Sequence, residues 1–189
     1  MSRPTPRRTP RADAARNRDR ILATARTFFA EHGSGVQLPE IARAAGVGIG
    51  TVYRHFPTHG DLVEAAAAQR FAEIEDFARR ECLDGAEPGS ALARYLNRVG
   101  EILAADRGLS AAIESTRHSA GSEPRGETRA RLETVIGEII ELDRAAGTLR
   151  ADCTVTDVYM IVGALSATIR TSSGDWRRLL AITLDGLRR

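Results

Sequence analysis

Apolar residues recur along this chain every three or four positions and almost never in strict alternation, which predicts amphipathic helices and no strands. The first stripe, Ile21, Leu22, Ala25, Phe28 and Phe29, predicts a helix over 13–32, with Asp13 as its cap and Gly33 and Gly35 as its stop. A long helix is expected over 61–82, capped by Asp61, on the face Val63, Ala67, Phe71, Ile74 and Ala78. Turn residues fill 84–89. A helix over 90–105, capped by Ser90, then carries Leu92, Leu96, Val99 and Leu103. Asp106, Arg107 and Gly108 break the pattern, and a short helix is expected over 109–118. After a loop over 119–126 comes a long helix over 127–146, with Leu132, Val135, Ile136, Ile139, Ile140 and Leu142 inward and Gly147 as its end. Two strongly apolar helices are expected over 154–170 and 175–187. The fold class is therefore all-α.

Residues 38–56 organise the rest. Ile41, Ala42 and Ala45 share one helix face, and Pro39 suits a first turn, where its missing N–H costs nothing. Gly46 permits the left-handed backbone of a tight turn, and Val47 plugs the core beneath it. A second helix is expected over 49–55, with Val52 and Phe56 inward. Thr51, Tyr53, Arg54 and His55 are left outward, side chains that bind phosphates and base edges. This is a helix-turn-helix.

The run Ile-Ala-Arg-Ala-Ala-Gly-Val-Gly-Ile-Gly-Thr-Val-Tyr-Arg-His-Phe-Pro over 41–57, followed by Asp61 and Leu62, resembles the DNA-binding signature of the TetR (tetracycline-repressor) family of bacterial regulators. The resemblance covers about residues 16–63. It implies an N-terminal three-helix helix-turn-helix domain over 13–60 and a larger helical ligand-binding and dimerisation domain over 61–189. It implies double-stranded DNA with a palindromic operator as partner, a homodimer, and a small-molecule effector that the sequence does not name. It implies DNA contacts by Thr51, Tyr53 and His55, with Tyr53 and His59 on phosphates. The chain departs from the family pattern where Gln37 replaces a Thr or Ser cap, where Gly48 and Ile49 replace Ser and Lys, and where His59 replaces Lys. Gln37 remains a candidate for a phosphate or base edge and Gly48 for the cap of the reading helix. Arg54 has the fork to read guanine or to grip the backbone, and the sequence does not choose.

Charge sharpens this picture. Residues 1–60 hold ten arginines against four acidic residues; residues 61–189 hold seventeen against twenty-one. A basic head on an acidic body suits a polyanion bound at one end. The segment 1–12 reads as a disordered basic arm, either touching DNA or simply solvated. Arg16 and Arg20 share a face and either reach the DNA backbone or pair with neighbours such as Asp19. The two cysteines, Cys82 and Cys153, stand far apart with no thiol near either, which argues for a reducing, cytoplasmic setting and against a metal site. No apolar run approaches the roughly 18 residues that cross a membrane. No nucleophile motif, phosphate loop or metal spacing marks an enzyme, and no cofactor is expected.

The body should hold its ligand between helices. Tyr95, Arg98, Glu114, Arg117 and His118 are the polar candidates, each also readable as an ordinary surface or loop residue. The last two helices carry more apolar surface than one face needs. By resemblance, Val158, Ile161, Val162, Leu165, Ile169, Trp176, Leu179, Leu180 and Leu187 form the dimer face, and an intramolecular core is the alternative. The expected function is a TetR-like repressor released from its operator by a small molecule. The alternatives are a regulator controlled by a protein partner or thiol state, and an enzyme with a nucleic-acid-binding head.

Overall fold

A computed structural model describes residues 10–85, 87–119 and 121–189, with side chains from residue 13 onward. Its helices are α1 (Pro10–His32), α2 (Leu38–Ala44), α3 (Ile49–His55), α4 (His59–Phe77), α5 (Ala91–Ala105), α6 (Arg107–Arg117), α7 (Gly126–Ala145), α8 (Val155–Thr171) and α9 (Trp176–Leu187). A short 3-10 turn, Gly33–Gly35, follows α1, and a π-type segment, Ala78–Leu83, prolongs α4. Among the described residues the only extended pairing is an isolated antiparallel bridge between Leu149 and Arg188. The all-α expectation holds.

Several helix starts differ from the reading by pattern. The first helix begins at Pro10, so residues 10–12 belong to it and not to a disordered arm; residues 1–9 lie outside the described part. Asp61 is not the cap of α4. Thr58 is: its backbone N–H and hydroxyl both donate to the Asp61 carboxylate, at 2.9 and 2.8 Å, and its hydroxyl accepts from Asp61 N–H at 3.1 Å. This reciprocal box satisfies two orphan donors at once. Ser90 holds the N-cap position of α5 as expected, but its side chain does not close the helix, because its hydroxyl donates to the Glu87 carbonyl. The buried carboxylate of Asp143, far along α7, accepts instead from the N–H groups of Ala91 (3.1 Å) and Leu92 (2.9 Å). Only Asp106 separates α5 from α6. Gly108 lies inside α6, where the backbone of α1 comes so close that a Cβ would collide with the Phe29 carbonyl oxygen.

The apolar stripes meet in one continuous core. Ile21, Ala25, Phe29, Ile41, Val52, Phe56 and Leu62 are sealed in the head, and Leu92, Leu96, Ile113, Val135, Ile139 and Leu165 in the body. Each such large side chain contributes roughly 1.5–3 kcal/mol by leaving water. The core is continuous from head to body, because α6 packs on both α1 and α4. The head is therefore seated on the body through α6, and α4 runs from one to the other.

Candidate functional site

The turn between α2 and α3 has the required geometry. Gly46 holds φ +61°, and Gly48 stands in extended backbone as the N-cap of α3. The Glu40 carboxylate accepts from the Gln37 N–H at 3.2 Å, which secures the start of α2. On the outer surface Tyr53 is 48% exposed, Gln37, Gly48 and Arg54 are exposed, and Thr51 and His55 are half-buried. Arg54 lies back along its own helix, with Nε on the Gly50 carbonyl and Nη2 on the Thr51 hydroxyl, both at 3.2 Å. These neutral acceptors are ones an ionised phosphate would outcompete. Arg20 reaches the turn itself, at 3.5 Å from the Gly46 carbonyl, while Arg16 pairs with Asp13.

His59 departs from its expected role. Its ring meets Phe29 edge-on at 5.7 Å, and Nε2 is buried without a partner. That nitrogen faces inward, so it is not offered to a phosphate in this conformation.

A cavity of about 410 Å³ opens within the body between α4, α5, α7 and α8, floored by apolar side chains such as Phe71, Ile74, Val99, Leu103, Leu132 and Ile136. Of the five polar candidates, Tyr95 and Glu114 line it, and the other three do not. Arg98 is on the outer face of α5, stacked 5.6 Å over Phe77 and paired with Glu101. Arg117 is committed elsewhere: two of its nitrogens hold Glu64 on α4 at 2.7 and 2.8 Å, and a third holds the Glu123 carbonyl at 2.6 Å. These bonds keep the Glu64 carboxyl below the usual carboxylate range. His118 is exposed and ends α6 in a left-handed conformation at φ 49°.

Pattern reading missed the polar lining that matters most. Arg70 is fully buried, as is the hydroxyl of Tyr159; Arg129 lies 4.8 Å over the Tyr159 ring, and Arg170 faces Glu114 at 3.5 Å. Burial pulls the Arg70 guanidinium down to about 10, so it is still charged at neutral pH. Burial also raises both tyrosines. The signal for Arg70 was present: Val63, Ala67, Arg70 and Ile74 step by four, three and four along the buried stripe of α4.

The expected dimer face divides in two. Val158, Leu165, Trp176 and Leu180 are buried in the chain's own core, against α5 and its neighbours, and so cannot cover a partner. Ile161, Val162, Ile169, Leu179 and Leu187 are half-buried at its edge. The side facing outward is a different one. On α8 it is Thr156, Met160, Gly163, Ala164, Ala167 and Thr171, of which Thr156, Met160, Gly163 and Ala167 also line the cavity; on α9 it includes Ala181 and Ile182. Met160 is 62% and Ile182 53% exposed. In the sequence Gly163, Ala164 and Ala167 already stand out as small residues that allow close helix approach, but the large apolar stripe draws the expected dimer face to the inward side of the helices.

Among the described residues no group of three metal-ligating side chains stands together, and no helix is long and apolar enough to cross a membrane. Cys82 and Cys153 are both free and buried.

Comparison with known proteins bears on both parts of the chain. Residues 21–66 match the family of bacterial regulatory proteins of the tetR type, and residues 87–189 match the C-terminal domain of SbtR-like transcriptional regulators. The crystal structure of a TetR transcription regulatory protein from Mycobacterium vanbaalenii is similar at 37% identity and a TM-score of 0.70, covering 96% of this chain and 100% of that one. A TetR transcriptional regulator from Streptomyces coelicolor is similar at 34% identity and a TM-score of 0.68, covering 90% and 98%. An HTH-type transcriptional regulator of Staphylococcus aureus is 43% identical over 53 residues, which span 28% of this chain and 29% of that relative.

Proposed function

This chain belongs to the TetR family of bacterial transcriptional regulators, and on that premise we propose that it is a homodimeric repressor, released from a palindromic operator when a small molecule enters the body cavity. The observation that carries this reading is α4. It starts beside the reading helix at His59, and its middle, at Arg70, Phe71 and Ile74, lines the cavity. One rigid element thus touches both sites. A ligand that shifts it changes the spacing of the two reading helices, and a twofold site demands that spacing.

Gln37, Gly48, Thr51, Tyr53, Arg54 and His55 are the proposed DNA contacts, Tyr53 and His55 from the outward side of α3 and Gly48 through its backbone. The proposed dimer surface is the outward face of α8 and α9 around Met160, Ala164 and Ile182, where small side chains allow close helix approach. Coupling between effector and operator sites commonly amounts to about 1–3 kcal/mol and is reciprocal.

The test is fluorescence anisotropy on the DNA flanking the protein's own gene, against scrambled DNA, at several salt concentrations. Sequence-selective binding with two subunits per site is expected. Binding that is equally weak on both DNAs and vanishes with salt would overturn an operator at that place.

A further inference from the structure

If the body cavity is the effector site proposed above, its lining also sets the chemistry of the effector. Five charged side chains line the cavity, Arg70, Glu114, Glu123, Arg129 and Arg170, and of its three arginines only Arg70 lacks a carboxylate partner. Glu114 and Arg170 face each other at 3.5 Å, and Arg129 is held by Glu133 at 2.7 Å. Arg70 has no carboxylate. Its Nη1 donates to the Ser110 hydroxyl at 3.0 Å, its Nη2 to the Ser122 carbonyl at 3.2 Å, and its Nε is buried with no partner. It uses two of its five N–H donors, both on neutral acceptors. Asp106, the carboxylate whose field reaches it, is already bonded to Arg26 at 2.8 Å. A fully buried cation without a counter-charge is an unfavourable arrangement that an incoming anion relieves.

We propose that the cavity is built for an apolar monoanion. Its carboxylate, or a headgroup of like geometry, takes Nε of Arg70 together with the Nη2 now resting on the Ser122 carbonyl, a side-on fork contact that a guanidinium makes well. Its apolar remainder lies against Phe71, Ile74, Val99 and Leu103. The size, about 410 Å³, is at the small end of ligand pockets, which suits one compact chain or ring system. The contact also has a route outward. Arg70 is on α4, Ser110 on α6 beneath the head, and Ser122 in the loop before α7, so exchanging the Ser122 carbonyl for an anion loosens the loop from the helix that leads to the DNA.

The probes are decanoate and decanol, one apolar chain with and without the charge, titrated calorimetrically into the full-length protein. Wild type is expected to bind decanoate at least about tenfold tighter than decanol, about 1.4 kcal/mol. An enclosed contact is screened little by salt, so the preference is expected to persist at high salt, where adsorption to surface arginines fades. Arg70→Met, which replaces a buried unpaired charge with an apolar side chain of similar length, is expected to keep decanol binding and lose the preference. Equal affinity of wild type for the two probes, or a preference that survives Arg70→Met, overturns the assignment of an anion while leaving an effector cavity standing. Binding of neither probe by a protein that still selects its operator overturns the assignment and argues against the effector reading as well. The wild-type ratio decides even where the variant does not fold.

Discussion

Arg26 in the head and Asp106 in the body are 2.8 Å apart across 80 residues of sequence, and the same guanidinium also holds Glu73 on α4. One side chain thus ties α1 to the linking helix and to the junction of α5 and α6. The pair is largely shielded from water, so it is worth more than an exposed ion pair. Asp106→Asn is expected to lower unfolding stability by about 1–3 kcal/mol, read as a shift in the urea midpoint. An unchanged midpoint would show that the tie is idle.

The bidentate grip of Arg117 on Glu64 gives a pH signature. The folded chain holds that carboxyl below its ordinary value of 4.5. Its contribution to stability is therefore fully present above the ordinary value and is lost as pH falls through the depressed one. Glu64→Gln should be less stable than wild type at neutral pH, with the gap closing in acid. Glu64 is 46% exposed, so the gap is small, and melting curves at closely spaced acid pH values are needed to see it.

Cys82 is sealed at the end of the π-type segment, and burial pushes its thiol up to about 11. Burial raises the Cys153 thiol too. Because the thiolate is the reactive form, neither should react with a disulfide reagent at mildly alkaline pH until the chain is unfolded. For Cys82 the sign runs the other way from Glu64: its contribution is intact below the ordinary value of 9.0 and is lost as pH climbs through about 11. Prompt labelling of two thiols per chain under native conditions would contradict this placement.

On the outward face of α8, Met160→Glu is expected to split a dimer while leaving the fold intact, since that side chain is 62% exposed. Val158→Glu, two residues earlier, points into the core and should unfold the protein. Light scattering and circular dichroism separate the two outcomes. A Met160→Glu protein that remains dimeric would move the interface elsewhere.

Arg54→Ala distinguishes the two roles left open for that side chain. If Arg54 reads guanine, the variant loses about 1–3 kcal/mol on the operator and little on scrambled DNA. A uniform loss on both, with a shallower salt dependence, marks a phosphate contact.

The head was legible because its determinants are local. The breaker Gly46, the cap Gly48 and the apolar pair Val52 and Phe56 all act within a few residues, and α3 came out at its expected bounds. Where two residues share a cap, as Thr58 and Asp61 do, pattern alone chose the wrong one. In the body the deciding relations are long-range. Nothing near Gly100 announces that the ring of Trp176 lies where its Cβ would be, and nothing near Gly108 announces the backbone of Phe29. The polar candidates were chosen by residue type. Arg117 and Arg98 therefore stand beside Tyr95 on equal terms, while Arg70, placed by its register on the buried stripe, is not among them.

The Asp143 carboxylate that closes the start of α5 carries a consequence for synthesis. A ribosome delivers Ala91 and Leu92 some fifty residues before it delivers their cap. Until α7 has emerged, the first turn of α5 keeps bare N–H groups facing what will be the interior, and the helix is held only by its own marginal propensity. The start of α5 is therefore expected to become firm only when α7 packs against it. Asp143→Ala should reveal itself less in the finished protein's shape than in a slower, more aggregation-prone maturation.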